Sequence, residues 1–437
     1  MKKILCGTVA LLCGSGVCFA QFPEKTVIPL DSVFVLAERN CVHLKLSESV
    51  IKTKEAAIGV AKNSRLPSID LGISAMHYGD GVVWDRDFSN ETKAPIPDFS
   101  NNFSVEASYV IFSGGAISAS IEKAELDAQV AVLAHSKNIA DIRFLVAGYY
   151  LDLYKLYNQK RVFERNIEQT NEVLQQVKAK LNAGMALDND QTRYELLEQN
   201  LKLALIEIEN RISIINQHLL VTLGLPDGTI VIPDSTVQQF GSQSQLINDF
   251  FQKAMASRQE IKIQDLNKAI ALKDISMAKA SLYPSLTVIG ADYMNGPILV
   301  EVPPIDKNLN YWFVGLALKY NIGSLYKSKK SIALAKSAYA SASLAYEAEM
   351  ENTKTAINSA YIKYSEAYDK LATYQKSFEL AVQNYLVINN RYQNDLVLIT
   401  EMLDASNMKL NAELQIINAR LDVVYQYFNL LRETGTL

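Results

Sequence analysis

YVIFSGGAISASIEKAE at 109–125 returns at 320–336 as YNIGSLYKSKKSIALAK. Ile121 and Ala124 fall on Ile332 and Ala335. A second pair, AKNSRLPSIDLGI (61–73) and AKASLYPSLTVIG (278–290), has nearly the same offset and sets Pro67 on Pro284. LGLP at 223 answers TGTL at 434. The offset takes up nearly half the chain, and a period this long exceeds any solenoid unit. It marks one duplicated half-protein.

Working outward from the duplication, each half has the same order. An opening helix of about 35 residues is expected at 31–66 and again at 246–283, and each must leave helical geometry at its proline. Next comes a strand of period two: Ile69, Leu71, Ile73 and Ala75 alternate with Asp70, Gly72 and Ser74. After a turn-rich loop, Phe103, Val105, Ala107, Tyr109 and Ile111 alternate with polar residues, and so do Trp312, Val314, Leu316, Leu318 and Tyr320 with Phe313, Gly315, Ala317 and Lys319. Strands are therefore expected near 67–78 and 102–112, and near 285–294 and 311–321. About ten residues per strand suits a tilted bilayer crossing. Tyr78, Trp84, Tyr293, Tyr311 and Trp312 stand near strand ends, where an aromatic girdle would lie.

Proline is absent from 98 to 225 and from 305 to 437, and no glycine occurs between Leu325 and Thr434. Chains without these breakers form long helices. Ile357, Tyr361, Tyr364, Tyr368, Leu371, Tyr374, Phe378, Val382, Tyr385, Ile388 and Tyr392 step by four and three, which is a coiled-coil seam. The first half repeats it from Val146 to Leu181, with Lys160 and Asn171 as breaks. Beyond turns near Gly184 and Asp395 the seam resumes, through Leu410, Leu414, Ile417, Leu421, Val424, Phe428 and Leu431 in the second half. Helical hairpins are expected at 113–224 and 324–434, and a helix of about 70 residues would reach roughly 100 Å.

The expected organisation is a signal peptide at 1–20, a first repeat at 21–244 with a connector at 225–244, and a second repeat at 245–437. Lys2, Lys3, the apolar run and Cys18-Phe19-Ala20 have the signal-peptide form. Lipid attachment at Cys18 is the competing reading, disfavoured by the bulk of Val17. Three of four cysteines lie in that signal, so Cys41 alone remains and no intrachain disulfide can form. Net charge is −4 with both signs interspersed, which argues against a nucleic-acid binder with its basic patch. His43, His77, His135 and His218 have no metal-ligand spacing. Four strands cannot close in a membrane, because the smallest barrels have eight. Three copies would give twelve.

The duplication, the order of elements and the closing run NRYQNDLVLITEMLDASNMKLNAELQIINARLDVVYQYFNLLRETG (390–435) together resemble the TolC-type outer membrane efflux proteins. The resemblance covers essentially the whole mature chain. It implies a mainly α protein with a small β part: long coiled-coil hairpins forming an α-barrel, and four transmembrane strands per protomer closing a twelve-stranded barrel as a homotrimer. It also implies an outer-membrane location reaching into the periplasm, outer-membrane lipid around the barrel, and a periplasmic adaptor with an inner-membrane pump as partners. No cofactor, metal or catalysis is implied. The family's Gly-Gly after the strand is Gly114-Gly115 in the first half but Leu325-Tyr326 in the second, and the proline often found before it is replaced by Val110 and Asn321.

Glu401 and Asp404, in TEMLDA (400–405), share one helix face. By the resemblance they would ring the closed tunnel end. Tyr392 and Asp190 match a tyrosine and an acid that hold the family's coils shut, while Val397 stands where an arginine would be. Asp190 answers Glu401 across the repeat, and Arg193 answers Asp404, which makes Arg193 a further gate candidate. The plainer reading is a helix start, with Thr400 as cap and acids favoured by the helix dipole. A structural periplasmic coiled-coil spacer without channel activity is the alternative function. A carboxylate-pair enzyme such as a glycosidase lacks a globular cleft.

Overall fold

The computed structural model describes residues 25–236, 247–299 and 304–437. The expected signal peptide, with Cys18, and the end of the connector lie outside the described residues. The elements, in chain order, are β1 (Lys25–Ile28), α1 (Leu30–Asn40), α2 (Val42–Asn63), β2 (Ser68–His77), β3 (Gly81–Val83), β4 (Thr92–Ala94), β5 (Phe99–Ser113), α3 (Ala116–Asn182), α4 (Asp188–Leu223), β6 (Ile230–Pro233), α5 (Ile247–Ser257), α6 (Gln259–Ala280), β7 (Ser285–Gly296), β8 (Leu309–Lys319), α7 (Ser324–Gln393) and α8 (Ile399–Glu433). The fold is mostly helical, and α3 and α7 run 67 and 70 residues. No described helix is long and apolar enough to cross a membrane.

Two compact units form. One takes residues up to Cys41, 143–242 and 364–428, and the other takes 42–142, 243–363 and 429–437. Each draws on both repeats.

The second unit holds an antiparallel sheet in the order β2-β5-β7-β8. Pairing sets Ile69 opposite Ala107, Leu71 opposite Val105, Val288 opposite Leu316 and Gly290 opposite Val314, so these share one face. The other face carries Asp70 opposite Glu106, Gly72 opposite Ser104 and Tyr293 opposite Tyr311. Tyr293 and Tyr311 thus belong to the polar face, with ring centroids 5.5 Å apart, rather than to an outer girdle. Alternation decides this: Trp312, one residue on, is on the apolar face. Asp292 is the exception there, and its carboxylate accepts a 2.8 Å bond from Asn310. A register shift between Val110 and Phe112 takes Ile111 out of the alternation.

The apolar face is bare. Trp312, Val314, Leu316 and Leu318 are 74, 71, 69 and 71 % exposed. Burying one such side chain is worth about 1.5–3 kcal/mol, so a face of this size left in water is a large unmet driving force. The outer edges of β2 and β8 pair with nothing among the described residues.

Each expected opening helix is two helices. The first breaks at Cys41 (φ −59, ψ 120) and the second at Arg258 (φ −64, ψ 122). These positions have the same offset that sets Pro67 on Pro284, as the repeat requires. No proline or glycine causes the break. Tertiary bonds impose it. Asn40 Nδ2 donates to the Leu223 carbonyl at 2.7 Å, where α4 ends on Gly224. Arg258 Nη1 donates to the Glu433 carbonyl at 2.6 Å, where α8 ends. In each repeat a side chain at or next to the break thus docks on the end of that repeat's hairpin.

The β-to-α junctions differ. Gly114 has φ +64, and a Cβ there would sit 2.5 Å from the Ala280 carbonyl oxygen. The second repeat avoids left-handed backbone: α7 begins at Ser324, ahead of the counterpart of Ala116, with Ser324 Oγ donating to the Asn321 carbonyl at 2.6 Å.

Along α3 the buried line is Val162, Asn166, Thr170, Leu174 and Val177, not the expected Phe163, Ile167 and Asn171, which are half-buried. Steps of four rotate the stripe slightly at each turn, which a fixed 3.5 repeat does not follow. Lys160, a heptad break, lies in solvent contact and pairs with Glu209 at 2.6 Å. In α8 the line runs through Ala412, Ile416, Ala419 and Val423, while Leu410, Leu414 and Ile417 are half-buried.

Candidate functional site

The first unit contains both hairpin turns. The chain leaves α3 through Gly184 (φ +75) and α7 through Asp395 (φ +57). These two share the offset that sets Tyr109 on Tyr320, so they are one repeat position. The hydrogen bonds match too: Met185 N–H to the Lys180 carbonyl at 2.8 Å, and Leu396 N–H to the Arg391 carbonyl at 2.9 Å. This is a helix C-terminal motif that wants a left-handed residue. Glycine fills it in the first repeat. Aspartate, the better tolerated of side-chain-bearing residues there, fills it in the second.

Around these turns Leu174, Val177, Tyr194, Tyr392, Ile399 and Met402 form one buried cluster. Tyr392 is therefore a core residue of the tip. Burial pushes its hydroxyl pKa up, and the charges of Asp190 and Asp395 add to this. No hydrogen bond joins Tyr392 to Asp190 within the protomer. The Asp190 carboxylate instead accepts from the Leu187 N–H at 3.1 Å, closing the first turn of α4.

Glu401 and Asp404 are exposed in the first turns of α8 and make no ion pair with a described residue. Thr400 is inside the helix, which opens at Ile399, so it does not cap it. Arg193 is exposed and also unpaired among the described residues. The structure thus brings Tyr392 and Asp190 near each other and leaves Glu401, Asp404 and Arg193 on the protomer surface.

Two features escaped the sequence reading. Lys180, in the last turn of α3, pairs with the Asp395 carboxylate and lies 4.9 Å from the centre of the Tyr392 ring. It ties one hairpin turn to the other. The signal was present, since Asp395 breaks the rule that glycine stands at this repeat position. Tyr194 is 2 % exposed, and its hydroxyl has no hydrogen-bond partner among the described residues. Burial pushes its pKa well above the ordinary tyrosine range, with Tyr392 and Tyr385 adding to it. Farther along α8, Lys409 is half-buried over the Tyr385 ring at 4.3 Å, and burial pushes its pKa down.

The outer membrane efflux protein family matches residues 37–224 and 250–436, two stretches that follow the two repeats. The chain belongs to the outer membrane efflux protein family. As a member it is an outer-membrane protein, and the family is defined by efflux rather than by catalysis. The pyoverdine export outer membrane protein OpmQ of Pseudomonas putida is 26% identical over 281 residues, which are 61% of this chain and 56% of that protein. The alignment thus spans little more than half the length of this curated relative. Among solved structures, the outer membrane protein VceC from Vibrio cholerae superposes with a TM-score of 0.77 at 16% identity, covering 93% of this chain and 96% of that one. The CmeC outer membrane channel of Campylobacter jejuni gives 0.74 at 15% identity, with 93% and 85% covered. At these identities the likeness establishes the fold.

Proposed function

We propose that this efflux family member is the exit channel of a tripartite export system, a passive duct from periplasm to exterior. The observation that carries the reading is the four-stranded sheet with one bare apolar face, one polar face and two unpaired edges. Such a sheet is unstable alone in lipid. Three copies joined edge to edge give twelve strands, with the apolar faces toward lipid and Asp70, Glu106 and Asn102 toward a wet lumen. Two copies would give eight strands and little lumen. The helical hairpins then form the periplasmic tunnel, and their tips meet an adaptor protein and an inner-membrane pump. A water-soluble spacer does not need the bare apolar face. Purified protein should run as a trimer and give stable conductance in planar bilayers. A monomer that never forms pores removes this reading.

The gate lies at the tips. Glu401 and Asp404, three copies each, form a ring of six carboxylates that favours cations. Replacing both with alanine should lower the cation-to-anion permeability ratio on the order of twofold, and unchanged reversal potentials would remove the ring.

Closure within each protomer rests on the Lys180–Asp395–Tyr392 contacts. An exposed ion pair and a cation–π contact together are worth about 1–2 kcal/mol. Lys180→Ala should therefore raise the open-to-closed ratio roughly five- to thirtyfold. Tyr194→Phe acts the other way, because an unpartnered buried hydroxyl costs about 1–3 kcal/mol. It should make spontaneous opening rarer. Equal open probabilities in all three proteins would show that the tip is not the gate.

A further inference from the structure

We infer that the strand ends nearest the helices carry a cationic collar that binds the phosphate groups of anionic phospholipids in the adjoining leaflet. The inference rests on the exit-channel reading, with the sheet as a barrel wall.

Four junctions join helix to strand in the second unit: α2 to β2, β5 to α3, α6 to β7 and β8 to α7. Their exposed cations are Lys62, Arg65, Lys279, Lys327, Lys329 and Lys330; Lys62 pairs with Glu125, and the other five pair with no acid among the described residues. No Asp or Glu occurs at 56–69, 107–121, 275–291 or 307–346. The opposite strand ends are acidic instead, with Asp80, Asp85, Asp87, Glu91, Asp98 and Asp306 against Arg86, Lys93 and Lys307. Charge is thus segregated between the two ends of the strands. Lys319 is set aside, because its pairing with Ser285 puts it on the polar face.

The collar continues the apolar face. Ile322, Leu325 and Tyr326 are exposed beside Lys327, and Tyr283 is exposed where β7 begins. Tyrosine and lysine side by side are suited to a membrane interface. The ring sits at headgroup level while the lysine stem lies along apolar surface and its ammonium reaches outward. A cation so placed, with no protein carboxylate near, finds its counter-charge in a phosphodiester. The three lysines of α7 stand where the first repeat has Ala116, Ser118 and Ala119, so the collar is densest in the second repeat. A basic residue next to an anionic leaflet strengthens lipid association roughly fivefold. The attraction fades within a Debye length of about 8 Å at physiological salt.

The test is native mass spectrometry of the full-length protein in mixed micelles. It counts retained phosphatidylglycerol against phosphatidylcholine of the same acyl chains. Wild type should prefer phosphatidylglycerol, and less so as salt rises. Lys327→Gln/Lys329→Gln/Lys330→Gln should lose at least about tenfold of that preference, and the triple Lys→Arg variant should keep it. Lys45→Gln/Lys354→Gln/Lys363→Gln removes the same charge from exposed helical positions away from the strands and should change nothing. The inference is overturned by equal retention of both lipids by wild type, or by an equal loss in the two Gln variants. Displacement of bound lipid by millimolar glycerol phosphate, or by an acidic peptide, would overturn it as well. Conductance of the same preparations separates the two readings. Pores without lipid preference sink the collar alone, and absence of pores sinks the channel.

Discussion

Val314→Arg should abolish membrane assembly while Phe313→Arg is tolerated. The two residues are neighbours on β8 at one depth, and differ in the face they occupy. Val314 lies opposite Gly290 on the apolar side, and Phe313 lies opposite Ala291 on the polar side. In the trimeric barrel proposed above, an arginine on the lipid face near the bilayer midplane costs about 2–4 kcal/mol per copy, three times over. On the lumen side the same guanidinium stays hydrated. Fractionation and native gels check this: Val314→Arg should fail to reach the membrane as a trimer. Equal assembly of the two variants would show that the sheet does not face lipid as argued.

The second large effect is expected in the compact unit that does not contain the hairpin turns. Arg258 and Glu433 have side chains 12 and 13 % exposed and meet at 2.8 Å, while Arg258 Nη1 also holds the last turn of α8. Arg258 Nε lies 3.4 Å from the Glu260 carboxylate without hydrogen-bond geometry. Removing one partner of a buried pair costs about 3–5 kcal/mol. Arg432 still bonds Glu433 at 2.6 Å, so Arg258→Ala should fall at the low end, about 3 kcal/mol, by denaturant unfolding in detergent. The two arginines outweigh desolvation and hold the Glu433 carboxyl below its ordinary value of 4.5. A lowered pKa means that the folded state gains stability above 4.5 and loses it as pH falls through the folded value. Wild type should therefore weaken on acidification below 4.5, and Arg258→Ala should show less of that loss. Identical acid profiles would remove Glu433 from the account.

Much of this fold could be read in the sequence because its periods are strong. Ile69, Leu71 and Ile73 alternate cleanly, and breaker-free tracts permit few alternatives to long helices. The breaks at Cys41 and Arg258 were not legible, since they are held by Leu223 and Glu433, each far away along the chain. The tip was half legible. Tyr392 and Asp190 stood out by resemblance, but the carboxylate of Asp190 is engaged by its own helix. Lys180 and Tyr194 gain meaning only from what surrounds them. Lys180 lies beside Asp395 across two turns, and Tyr194 is enclosed by Leu174, Val177, Tyr392, Ile399 and Met402, none of which hydrogen-bonds its hydroxyl.

The two compact units set the order in which this chain can mature. One needs residues 364–428 and the other needs 429–437, so neither is complete until nearly all of the second repeat is present. A ribosome or translocase releasing the first repeat releases no finished unit. Contacts this distant in sequence form slowly. The nascent first half therefore stays open for the whole time the second half is being made, a state well suited to threading through a translocon. Truncation before Tyr364 should leave protease-sensitive chain rather than a stable half-protein.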